Sequence, residues 1–149
     1  MNGLVFNVVG SGDSADNKAV VLQNFTVQFV GGAGVARCCG ATNLSFVNIG
    51  VTGYSLQDWN AGLFLRYGTA NVTTGGFNYT VNFANCSSSA EVYSTANAWS
   101  TILVGHTYQG AGHTTTIKVD KFTDENINGT KVYYTGTNKT PEGKKYYGA

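Results

Sequence analysis

Asparagine, cysteine and one aromatic loop carry the residues of this chain whose types and spacing admit chemistry. The acceptor sequence for N-linked glycans, Asn-X-Ser/Thr, occurs at Asn24, Asn43, Asn71, Asn78, Asn85, Asn128 and Asn138. With 15 Asn and 27 Ser plus Thr in 149 residues, random placement would give roughly 2.7 such triplets. A strand whose polar face is built of Asn and Thr puts them at i and i+2, which accounts for Asn24, Asn43 and Asn78 without any sugar. Asn71, Asn128 and Asn138 fall in expected loops or the tail, where that explanation fails. Glycosylation at several of the seven is therefore expected.

Cys38, Cys39 and Cys86 form an odd set. Cys86 joined to Cys38 or Cys39 implies an oxidising compartment and leaves one thiol over; free, buried thiols are the alternative. Adjacent cysteines with no nearby His are poor ligand spacing for zinc. The aromatic loop holds Tyr54, Asp58, Trp59 and Asn60 within seven residues. An aromatic face for the apolar side of a pyranose, with a carboxylate and an amide for its hydroxyls, is the make-up of a sugar site. Tyr108 and Gln109 are available to join it. The structural alternative has Trp59 closing one end of a core.

Catalytic constellations are missing from the sequence pattern. His106 and His113 share a Gly-rich loop followed by Asp120, but no serine or cysteine sits in a Gly-X-Ser-X-Gly context. Asp58 and Glu91 are single carboxylates with nothing in sequence to bring them together as a glycosidase pair. No phosphate loop or dinucleotide fingerprint is present. The oxygen-rich stretches at Asp13, Asp16 and Asn17, and over 120–128, do not match an EF-hand loop and read as solvated turns. The expectation is a non-enzyme, with no catalytic residue, no cofactor and no metal.

The elements that must position these residues are strands. In residues 76–85, Phe77, Tyr79, Val81 and Phe83 alternate with Asn78, Thr80 and Asn82, giving one aromatic and one neutral polar face. Residues 19–30 repeat this chemistry, with Phe25, Val27 and Phe29 opposite Asn24, Thr26 and Gln28. In 43–51 the apolar positions run Leu44, Phe46 and then Val47, Ile49, Val51, a change of phase that predicts a β-bulge. Further strands are expected at 4–9, 63–67, 91–95, 99–104, 114–122 and 131–135. Eight or nine strands without a helix predict an all-β, two-sheet antiparallel β-sandwich, jelly-roll-like rather than immunoglobulin-like. No Cys-Trp-Cys spacing and no 20–50-residue repeat is evident.

Three parts are expected: an N-terminal strand and linker (1–18), a sandwich domain (19–135) and a polar tail (136–149). Leu4, Val5, Phe6, Val8 and Val9 precede a Gly/Ser/Asp-rich linker, the layout of a strand donated to a neighbour's sheet edge as well as of an ordinary first strand. Charge is scarce: 11% of residues, against roughly 25% in an ordinary soluble domain. Residues 1–117 hold seven formal charges and 118–149 hold ten. A net charge of +1 gives no basic footprint for nucleic acid, and no apolar run reaches the ~18 residues of a spanning helix. The start lacks the basic leader of a secretory signal, so either none is used or it was removed.

Together these features predict a non-enzymatic structural subunit of a self-assembling surface structure, a filament or a virion coat or decoration protein. Its partners would be copies of itself and glycans, and its location extracellular, at a cell surface or at a virion surface. The alternative is a lectin-like or adhesin module using Tyr54, Asp58, Trp59 and Asn60.

Overall fold

The computed structural model describes residues 4–9, 19–32, 34–39, 43–57, 62–69, 79–94, 102–104, 107–108, 115–124 and 132–134. They form β1 (Leu4–Val9), β2 (Ala19–Gly32), β3 (Gly34–Cys39), β4 (Asn43–Gln57), β5 (Leu65–Thr69), β6 (Tyr79–Ala84), β7 (Cys86–Ser88), β8 (Glu91–Ser94), β9 (Thr107–Tyr108), β10 (Thr115–Val119), β11 (Phe122–Asp124) and β12 (Val132–Tyr134). Every pairing among them is parallel except that of β11 with β12. The expected antiparallel sandwich is therefore not the fold.

Two parallel sheets share the chain by turns. One runs β1-β3-β5-β9, and the other joins β2, β4, β6, β7, β8, β10, β11 and β12. The chain passes from one sheet to the other and back, and its parallel strands pair with strands from the previous circuit, so the backbone winds as a stack of coils, a parallel β-helix. The first coil holds β1 and β2, the second β3 and β4, the third β5 to β8, and the fourth β9 to β11. Ala19 lies beside Asn43 and Asn43 beside Thr80, so one circuit takes 24 residues and the next 37. Unequal circuits explain why no fixed period shows in the sequence.

Aligned by register, the coils do repeat. Val20-x-Leu22-x-Asn24-Phe25-x-Val27 sits on Leu44-x-Phe46-x-Asn48-Ile49-x-Val51. Above it come Val81-x-Phe83-x-Asn85-Cys86-x-Ser88 and Ile117-x-Val119-x-Lys121-Phe122-x-Asp124. The phase change inside 43–51 is this corner. Asn24, Asn48 and Asn85 have φ of 62°, 52° and 53°, a left-handed conformation that Asn tolerates better than other non-glycine residues. Because β2 and β4 bend together, their register continues through the corner, whereas a bulge adds a residue to one strand alone. The register does shift further on, between Val30 and Gly32.

A second corner follows at Gly53. Its φ is +84°, and a Cβ there would lie 2.1 Å from the Phe29 carbonyl oxygen, so only glycine fits. Several stretches expected to be loops are strand: Gly53 to Gln57 completes β4, Cys86–Ser88 is β7, and Gly34–Cys39 is β3.

The core is the bore of the coil. Leu44, Phe46, Ile49, Val51, Val81, Phe83 and Phe122 enter it from the larger sheet and are at most 1% exposed. Leu63, Phe64, Leu65, Leu103 and Val104 enter from the facing wall and are fully buried. That wall is held by backbone bonds from Val35 to Leu63, Ala36 to Phe64, Phe64 to Ile102 and Leu65 to Leu103, at 2.8–3.0 Å. Phe46 and Phe83 stack at 5.1 Å with planes 7° apart, and Phe64 meets both edge-on at 5.8 and 5.7 Å and Phe122 at 5.6 Å. Such ring pairs add about 0.5–1.5 kcal/mol each beyond the area they bury.

Candidate functional site

Stacking coils in register turns single outward residues into columns. Along the first corner, the Asn48 Nδ2 donates to Asn24 Oδ1 at 3.0 Å, and the Asn85 Nδ2 donates to Asn48 Oδ1 at 2.8 Å. The ladder has a direction: each amide nitrogen points toward the preceding coil. At the fourth position stands Lys121, whose carbonyl accepts from the Cys86 backbone N–H at 3.0 Å. Beside the ladder, Asn82 Nδ2 donates to Asn43 Oδ1 at 2.8 Å and to Ser45 Oγ at 3.1 Å. Three of the seven sequon asparagines thus have amide atoms bonded between coils. In Asn85 the bonded atom is the nitrogen that would carry a glycan; in Asn24 and Asn43 it is the oxygen.

Asn71, Asn78, Asn128 and Asn138 lie outside the described residues. So do Asp58, Trp59 and Asn60, as well as His106, Gln109, His113, Asp13 and Asp16.

Beyond the Asn corner lies a flat outer face. Thr26, Gly50, Ser87 and Thr123 share one column. A Cβ on Gly50 would come within 3.3 Å of Thr26 Oγ1 and 3.5 Å of Ser87 Oγ, so the column is closely packed and shallow. Past the Gln28 and Thr52 pair, Val30, Tyr54 and Glu91 form a further exposed column, with Val30 76% and Tyr54 40% exposed. Tyr54 is the one member of the expected sugar cluster within the described residues, and on this face its neighbours are a valine and a carboxylate.

The ends of the stack differ. Leu4, Phe6, Asn7, Val8 and Val9 pair with β3 of the same chain, and β1 stands at the end of its sheet order. The stretch read either as an ordinary first strand or as a donated one thus pairs within the chain, beside β3. Val20, Leu22, Phe25 and Val27 occupy bore positions yet are only partly buried, whereas their partners Leu44, Phe46, Ile49 and Val51 are at most 1% exposed. Phe6, 37% exposed, packs on Phe25 at 5.4 Å. Neither β1 nor β2 contains an Asp, Glu, Lys, Arg or Pro. At the other end, Lys118, Asp120 and Lys121 are exposed, and β12 runs antiparallel along β11.

Cys86 is a buried free thiol whose Sγ donates to the Phe46 carbonyl oxygen at 3.4 Å. Burial pushes its pKa above the ordinary thiol value. It projects into the bore and forms no disulfide with Cys38 or Cys39, which lie on β3 in the other sheet. Among the described residues, no group of three His, Cys, Asp or Glu side chains gathers as a metal site. No helix among them is long and apolar enough to cross a membrane.

Sequence reasoning missed the ladder and the open first coil. The signal for both is an Asn at each change of phase, flanked by apolar-x-apolar on either side. Comparison of the chain with protein-family models, with curated proteins and with solved structures finds no match in any of the three.

Proposed function

We propose that this chain is a non-enzymatic structural subunit of a self-assembling surface structure, an extracellular filament or a virion coat or decoration protein. The observation that carries this reading is the first coil, an uncharged strand pair whose apolar bore residues are only partly buried. Soluble monomers protect sheet edges with charge, proline or a covering segment, and repeat stacks close their ends with polar caps. Asn, Thr, Ser and Gln on the outer face solvate such a subunit without charge. They also leave it able to lie against a neighbour without like-charge repulsion. Glycans at exposed sequons would add to that coat at an extracellular or virion surface.

Light scattering on a sizing column and negative-stain microscopy test the proposal. Concentration-dependent assemblies are expected, and a monomer at every concentration contradicts it. Intact mass of protein from a glycosylating host reports the sugar: increments of hexose mass support a glycan-coated surface, and a bare mass removes that element.

The second reading, a carbohydrate-binding module, rests on the half-exposed Tyr54 ring next to Glu91 on a flat face. Binding on a glycan array that is lost in Tyr54→Ala favours it, and a blank array eliminates it.

A further inference from the structure

We infer that the first coil is a two-fold interface in which β2 pairs antiparallel with β2 of a second copy, bore against bore. This rests on the self-assembly reading above and gives it a surface and a symmetry. Among the described residues the stack has two ends, and they do not match each other. A head-to-tail copy would bring β12, the exposed Lys118 and Asp120, and the donor-only Lys121 against the first coil. The donor-only Lys121 would then stand over Asn24, whose Oδ1 already accepts from Asn48. The matching partner for an uncharged, half-apolar edge is another such edge.

The sequence of β2 is self-complementary for this pairing. In an antiparallel ladder, residues directly opposite each other project to the same side. The phase change at Asn24 puts Val20 and Leu22 into the bore from one half of β2, and Phe25 and Val27 from the other. A two-fold axis passing between Gln23 and Asn24 sets Val20 on the second copy's Val27, and Leu22 on the second copy's Phe25. Apolar meets apolar along both halves, and the edge of β2 away from β4, unpaired among the described residues, gains backbone partners. Without the phase change, one half would place polar residues over the bore. Asn24 fits as well: its Nδ2 can donate across the junction, while its Oδ1 keeps the bond from Asn48 and has a second lone pair to accept one. An isologous contact of this kind closes as a dimer, so longer assemblies would use a further surface.

Charge at the axis tests the interface without disturbing the bore, because Val21 and Gln23 project outward and are exposed. Val21→Lys with Gln23→Lys, and separately Val21→Glu with Gln23→Glu, are compared with wild type by sedimentation velocity, with circular dichroism confirming the fold. Each variant alone is expected to self-associate at least about tenfold more weakly, since four like charges gather about the axis, the two at position 23 on adjacent rungs. An equimolar mixture is expected to recover dimers. Undiminished association of the lysine variant overturns this surface and leaves self-assembly standing. Weakened association that mixing does not restore overturns the two-fold geometry. A monomeric wild type whose β2 amides resist hydrogen exchange means that the chain covers its own first coil, which overturns both proposals.

Discussion

Asn48 is the residue on which most of the corner depends. It holds φ at 52°, accepts from Asn85 and donates to Asn24. Asn48→Ala removes both bonds and puts a side chain with no compensating polar group into the left-handed region. Each bond is worth about 0.5–1.5 kcal/mol and the conformation about 1–2, so a loss of about 2–5 kcal/mol is expected in urea titration. Asn48→Gly relieves the backbone part alone and should fall between alanine and wild type. Cys86 gives a pH signature. Burial raises its folded pKa, so above the ordinary value of 9.0 the unfolded chain releases the thiol proton while the folded chain retains it. Fewer protons on the unfolded state mean that stability falls as pH rises past that point. Cys86→Ala should show a shallower decline than wild type when urea midpoints are compared at neutral and alkaline pH.

At the scale of elements, the bore rings fix how the walls meet. Phe64 comes from the facing wall and touches Phe46, Phe83 and Phe122 from the second, third and fourth coils. Phe64→Ala should therefore cost about 3–5 kcal/mol and broaden the near-ultraviolet signal. An exposed change such as Thr116→Ala should stay within about 0.5 kcal/mol in the same denaturant assay. Many strand positions and inward faces were legible in the sequence, though β3, β7 and β9 were not: Leu44, Phe46, Val81 and Phe83 alternate with polar residues and are buried as alternation requires. Strand direction was not. A period of two reports that one face is dry and the other wet, and a parallel coil with a solvated outer wall writes the same pattern as an antiparallel sandwich. Val47 shows the cost of that ambiguity: read as the start of a shifted apolar face, it is an outward residue next to the corner, half-buried by its neighbours. The Asn ladder was hidden for a related reason. Asn24 and Asn85 satisfy the sequon pattern, so a glycan signal and a corner signal coincide in the same letters.

For the molecule as a whole, the coil explains how a chain with so little charge organises its surface. Outward Asn and Ser bond to one another between coils, as Asn82 does to Asn43 and Ser45. Solvation is thus shared by columns rather than by single ionised groups. Charge is absent from β1 and β2 themselves, with Lys18 just before β2 and Asp13 and Asp16 between the two strands in sequence. All of this depends on parallel stacking of circuits 24 and 37 residues apart. Nuclear Overhauser contacts across the larger sheet test that directly. The coil predicts Phe46 backbone protons close to those of both Leu22 and Phe83, with parallel-type amide-to-α contacts along β2, β4 and β6. Strong α-to-α contacts between these strands, the mark of antiparallel neighbours, would contradict it.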